Sequence, residues 1–365
     1  MSKRALQLSL AAAAVVAVAV AAVVLATGED ERERAVSGHQ GVVEGTVWVA
    51  NEEGGSLTAI DAGRNAVVAT LTGIEGPHNL QVSPDGGSVW VVSGHDAMAV
   101  MLDAQGFQVH GTVFTGNEPA HIVVTPDGRT SYTTNGADDT VTAIDVSTMK
   151  TVTTIAVGAF PHGLRVSPDG KWVYVANAKG TTLTVIDTAR NAVVDEIEVG
   201  VSPVQVAFSP DGRFVYASVN GENAVAKVDV ATRKLVGKAA VGVGPIQAYV
   251  SPDGRYLLVA NQGTEERPST TVSIVDTDSF EVARTVETGL GAHGVVIDPS
   301  SRHAYVTNIY DDDVAVLDLA EQEVVARIPV GAKPNGISFS PLVLGLETER
   351  KVDLGLEEME EMGHG

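Results

Sequence analysis

The chain has 365 residues, 44% hydrophobic and 19% charged, the composition of a folded protein with a sizeable core. It contains no cysteine, which excludes disulfides, thiolate nucleophiles, zinc–cysteine clusters and Cys-x-x-Cys-His haem attachment. Its formal net charge of −22 repels phosphate backbones, so nucleic acid is not an expected partner, whereas cations, metals and basic proteins are favoured.

At the N-terminus, Lys3 and Arg4 precede an apolar run from Leu8 to Ala26, and the acidic stretch Gly28–Glu33 follows. Positive charge, apolar middle and acidic flank are the order of an export segment, either a cleaved signal or a retained membrane anchor. Residues 1–27 are therefore set apart from the fold, and 28–44 read as a linker. The expected location is periplasmic or extracellular, with membrane contact only through this segment.

From there the chain repeats. Ser-Pro-Asp-Gly or a close variant begins at Ser83, Thr125, Ser167, Ser209 and Ser251, degrades to Asp298-Pro-Ser-Ser, and ends as Ser340-Pro341. The steps are 42, 42, 42, 42, 47 and 42 residues. An aspartate closing an apolar alternation keeps the same beat at Asp61, Asp103, Asp145, Asp187, Asp229, Asp276 and Asp318. Each unit holds four short runs rich in Val, Ile, Thr and aromatic residues, separated by turn residues, which predicts four strands. Pro and Gly suit Ser-Pro-Asp-Gly to a tight turn, and the recurrent Asp is expected to accept bonds from the following amides.

Seven four-stranded units predict an all-β, seven-bladed β-propeller over residues 45–341. The ends are complementary. The chain opens with only a second, third and fourth strand (Thr46–Asn51, Ser56–Asp61 and Ala66–Leu71) and closes with only a first, Asn335–Ser340. Together they should complete a seventh blade and leave no open sheet edge. Residues 342–365 form an acidic tail, expected to be partly helical or disordered, that ends in a Met359, Met362 and His364 grouping suited to a soft metal. The propeller is expected to be monomeric.

Val173-Tyr-Val-Ala-Asn177, Ala304-Tyr-Val-Thr-Asn308 and Leu258-Val-Ala-Asn261 resemble the repeat that names the YVTN family of β-propellers. That family includes YncE-like periplasmic proteins and quinoprotein dehydrogenase subunits. The haem propellers of cytochrome-type nitrite reductases and the seven-bladed lactonases look similar. The resemblance implies the fold and leaves the function open.

The start of each innermost strand should meet the end of the second strand at one mouth of the channel. His78, His162 and His293 share one repeat position there, in blades one, three and six, with Asn335 at the same position of blade seven. His121 is displaced by one residue, and strict strand alternation would turn it away from the other three. Asn177 and Asn308 end second strands at the same mouth.

The nearby loops carry Glu52, Glu53, Asp96, Asp138, Asp139, Glu222, Glu265, Glu266, Asp311, Asp312 and Asp313, opposed only by Lys179 and Arg267. An acidic rim around histidines should attract cations or a basic partner. The five extra residues of blade five, within Gln262–Ser269, fall on the same rim. Three readings stay open. The leading one is a scaffold binding a protein or a small cationic ligand. The others are a metal- or haem-associated redox accessory using His78, His162 and His293, and a lactonase-type hydrolase. No nucleophile elbow, glycine-rich phosphate loop or His-Glu-x-x-His motif is present, so no catalytic residue is assigned.

Overall fold

A computed structural model describes residues 43–356. The N-terminal apolar run and Met359, Met362 and His364 lie outside the described residues. Among the described residues, no helix is long and apolar enough to cross a membrane.

Six antiparallel sheets of four consecutive strands follow the 42-residue beat, a seventh is assembled from the two ends of the chain, and single helical turns stand at Gly136–Asp138 and Asn220–Glu222. Blade three is representative: Pro161–Val166, Trp172–Asn177, Thr182–Asp187 and Ala192–Glu198 lie side by side in that order, from the channel outward. Burial explains the composition of each strand. Val173 to Asn177 of the second strand are all buried, because neighbouring blades cover both faces of the sheet. The outermost strand is exposed at most positions and buries only Ile197, so it tolerates Asp195, Glu196 and Glu198.

The predicted turns form. In each of the Ser83, Thr125, Ser167, Ser209 and Ser251 turns the hydroxyl donates to the following Asp. The strand-closing aspartates accept from amides two or three residues on, as at Asp61, Asp145, Asp187 and Asp229.

The ring closes as the complementary ends require. Pro334–Ser340 pairs with Thr46–Asn51, and Ser56–Asp61 and Ala66–Thr72 complete blade seven. The tail differs from expectation. Arg350–Asp353 is a strand, paired parallel to Ala66–Thr72 on the outer edge of blade seven. Alternate apolar residues (Leu342, Leu344, Leu346 and Val352, then Leu354 and Leu356) pack it onto the core shared by blades seven and one. The acidic composition had masked this apolar series.

Candidate functional site: the channel histidines

The innermost strands start with a bulge. In blades one, two, three and six, the pairing with the second strand slips by one residue just after the first position. A bulge sets two consecutive residues against one, so strict alternation fails there. His121 therefore joins His78 and His162, contrary to the expectation from alternation. Ring centroids are 5.7 Å apart for His78–His121, 5.3 Å for His78–His162 and 4.8 Å for His121–His162. Each of the three offers a ring nitrogen, and these nitrogens lie within 4.8 Å of one another. The cluster draws on blades one, two and three rather than one, three and six. His293 stands outside that group of three.

The repeat fixes three of the rings in one way. The Nδ1 of His78, His162 and His293 lies 3.0, 3.2 and 3.1 Å from the carbonyl oxygens of Ala120, Val204 and Asn335, the equivalent residues of the next blades. A carbonyl only accepts, so Nδ1 carries the proton and Nε2 keeps its lone pair. His121 is held differently. Gln205 Oε1 accepts from the Val206 amide at 2.8 Å, which leaves its Nε2 to donate to His121 Nδ1 at 3.2 Å. Gln205 belongs to blade four and reaches past blade three because Gly163 stands there. A Cβ on Gly163 would sit 2.3 Å from Gln205 Oε1. Within this ring, the Nε2 atoms of His121 and Gln247 are buried with no partner among the described residues.

Electrostatics keep the imidazoles neutral. Burial lowers His78, with Glu52 pulling the other way. Burial and then the repulsion of His162, His78 and Arg165 set His121 well below the ordinary range. Burial followed by repulsion from His78 pushes His162 and His293 down to about 3.

The other sequence-derived candidates fare differently. Asn177 and Asn308 stand opposite the first residues of their innermost strands, fully buried inside their blades. Asn177 Nδ2 donates to Thr182 and Thr184, and Asn308 Nδ2 to the Thr288 carbonyl and Asp313. Asn335 does stand at the mouth, donating to Glu52 at 2.8 Å while its carbonyl receives His293. Asp311 and Asp312 clasp neighbouring connections, accepting from the amides of Leu290 and Lys333. Asp138, Asp139 and Glu222 do the same for Asn117, Phe160 and Val201. Glu265 and Glu266 are exposed at the tip of the blade-five hairpin, whose strands run to Gly263 and from Pro268. Much of the acidic rim is thus bracing between blades, and part of its charge is paired, with Lys333 against Glu52 and Glu53, Arg327 against Asp311 and Asp313, and Lys238 against Glu222, so Lys179 and Arg267 are not its only opposing cations. Sequence reading missed Gln205, because nothing in a linear pattern shows a side chain crossing over a glycine two blades away.

Comparison with known proteins supports the fold. Residues 130–226 match the family model for YNCE-like β-propellers, and residues 189–288 match that for lactonase seven-bladed β-propellers. No curated protein sequence matches the chain. Among solved structures, it is similar to Kuenenia stuttgartiensis hydrazine synthase at 26% identity, covering 74% of this chain and 91% of that one with a TM-score of 0.66. A functionally unknown protein from Desulfotomaculum acetoxidans aligns at 16% identity, over 81% of this chain and 99% of that one, with a TM-score of 0.72. The dihydro-heme d1 dehydrogenase NirN aligns at 17% identity, over 80% and 74%, with a TM-score of 0.61. The last two likenesses are of fold alone. The chain is a seven-bladed β-propeller of which residues 130–226 are similar to YNCE-like propellers.

Proposed function

We propose that this protein is an exported scaffold that binds one first-row transition-metal ion in its channel, through His78, His121 and His162. The observation that carries the reading is the convergence of three neutral imidazoles whose nitrogens lie within 4.8 Å of one another. In His78 and His162 a backbone carbonyl engages Nδ1 and leaves Nε2 free. An acceptor on the far ring nitrogen is the usual way a ligating histidine is oriented. Nitrogens around a tetrahedral zinc at ~2.1 Å stand about 3.4 Å apart, so each ring need move by only about 1 Å to close on an ion.

An imidazole-only set suits zinc, copper or nickel. Rings this close leave no room between them for a porphyrin, which favours an ion over the haem alternative. The rim keeps more carboxylates than cations, although Lys333 pairs with Glu52 and Glu53 beside the mouth, and the remaining negative potential draws cations in. Export rests on the N-terminal Lys-Arg, apolar and acidic succession.

Titration calorimetry of the full chain with zinc(II) and copper(II) tests the proposal, alongside copper electron paramagnetic resonance. One equivalent should bind with nitrogen hyperfine structure, and His121→Ala or His162→Ala should weaken it at least 100-fold. His364→Ala, in the tail, should leave the channel equivalent intact. Stoichiometric binding untouched by the channel variants, or none in the parent chain, would remove this function.

A further inference from the structure

Below the histidines the channel changes character. Three residues further along six of the seven innermost strands, one repeat position supplies Gln81, Arg165, Ala207, Tyr249, Val296 and Ser338, which line a single cavity of about 410 Å³. Its rim is formed by prolines from five of the turns, Pro168 and Pro210 among them. This is the pole opposite the acidic loops.

Among the described residues, Arg165 is the only charged one lining the cavity. Among the described residues it forms no ion pair, and its one hydrogen bond runs from Nη1 to the Leu164 carbonyl at 3.0 Å. A guanidinium taken from water without a carboxylate is costly, and proteins keep such groups where a ligand completes them.

The neighbouring polar groups point the same way. Gln81 Oε1 already accepts from the Val124 amide at 3.1 Å, so its free valences are the two N–H bonds. Ser338 Oγ accepts from the Val82 amide at 3.1 Å, and its hydroxyl proton is left to donate. Tyr249 adds a phenol. The ring therefore offers N–H and O–H donors around one positive charge, with no carboxylate among them. The remaining wall is apolar, including Phe208, Phe339 and the proline rings.

We propose that this cavity is a binding site for a small organic monocarboxylate with an apolar body, held by Arg165. The guanidinium fork matches a carboxylate in two parallel bonds, and one guanidinium balances one negative charge. Tyr249, Gln81 and Ser338 supply further donors, and the apolar wall takes the rest of the molecule, as in ligand pockets of 300–1,000 Å³ generally. The site lies apart from the three-histidine cluster and does not depend on a metal there.

The fluorescent probe 2-naphthoate, titrated into the full chain, tests the assignment, with benzoate, neutral 2-naphthamide and inorganic phosphate as competitors. Saturable 1:1 binding is expected. Arg165→Met should weaken it at least 30-fold and Tyr249→Phe a few-fold, while Arg165→Lys keeps part of the affinity. The amide should compete at least 10-fold more weakly than unlabelled benzoate. Arg165→Met should melt no lower than the parent without ligand, because it removes a half-buried charge that has no ion-pair partner among the described residues. Equal binding by Arg165→Met, stronger competition by phosphate than by benzoate, or no binding by the parent would overturn the proposal. A lower melting temperature for Arg165→Met without ligand would give Arg165 a structural role and also overturn it.

Discussion

Gln205 decides which nitrogen of His121 carries the proton. Its amide oxygen is committed to Val206, so its Nε2 donates to His121 Nδ1 and the imidazole proton stays on Nε2. Binding an ion through that Nε2 requires moving the proton to Nδ1, where it would face another donor. A carboxylate in place of the amide resolves the conflict, because one oxygen accepts from Val206 and the other from Nδ1–H. Gln205→Glu should tighten zinc binding by about tenfold, in the range typical of carboxylates that accept from the far nitrogen of a ligating histidine. Calorimetry on the two chains measures it. Gln205→Leu, which supplies no acceptor, should not tighten binding, and an equal gain from both variants would rule out the proton argument. Residue chemistry was partly legible in the sequence. Four of nine histidines fell within one residue of a single repeat position, which located the mouth. The tautomers were not legible, because they depend on carbonyls 42 residues away and on an amide 84 residues away.

At the scale of the element, the strand and the turn were read with unequal success. Periodicity located the strands to within a residue or so, because sandwiched second strands and exposed fourth strands have different compositions. Alternation then misdirected His121, since a bulge leaves no mark in an apolar pattern. The turns were more legible because their chemistry is local. In the Ser83, Thr125 and Ser209 turns the hydroxyl and a following amide hold the carboxyls of Asp85, Asp127 and Asp211 below their ordinary range. A carboxyl lowered in the folded state stabilises above its unfolded pKa of about 3.9, and that contribution is lost as pH falls through the lower folded value. Ser209→Ala should therefore destabilise the protein by about 1 kcal/mol at pH 7, and by less at pH 2. Urea unfolding of parent and variant at the two pH values checks the difference. A cost unchanged with pH would assign the whole effect to the bond from Phe214 N–H to Ser209 Oγ.

For the whole molecule, stability concentrates at the seam where the two ends meet. Six blades are continuous in sequence, but blade seven joins Thr46–Thr72 to Pro334–Ser340 across nearly the full chain. Gly45 shows how tightly the seam is drawn. It has φ +144°, and a Cβ there would lie 2.5 Å from both the Ser340 carbonyl oxygen and the Phe339 ring. The tail strand adds a second fastening. Thr46 Oγ1 donates to the Leu342 carbonyl at 2.7 Å, Arg64 reaches the Leu346 carbonyl at 2.6 Å, and Leu354 and Leu356 are buried against blades seven and one. Removing these leucines withdraws the strap without touching the repeat. Leu354→Ala with Leu356→Ala should lower stability by about 4 kcal/mol, the low end of roughly 2–5 kcal/mol for each buried leucine, because both lie near the surface. The loss should be local before it is global, because an opening at the seam needs only blade seven to part. Hydrogen exchange should quicken first in Thr46–Asn51, Ala66–Thr72 and Pro334–Ser340, while Trp172–Asn177 of blade three keeps its protection. Equal acceleration in blade three would mean that the ring unfolds as one unit, and the tail strand would then be ornament rather than fastening.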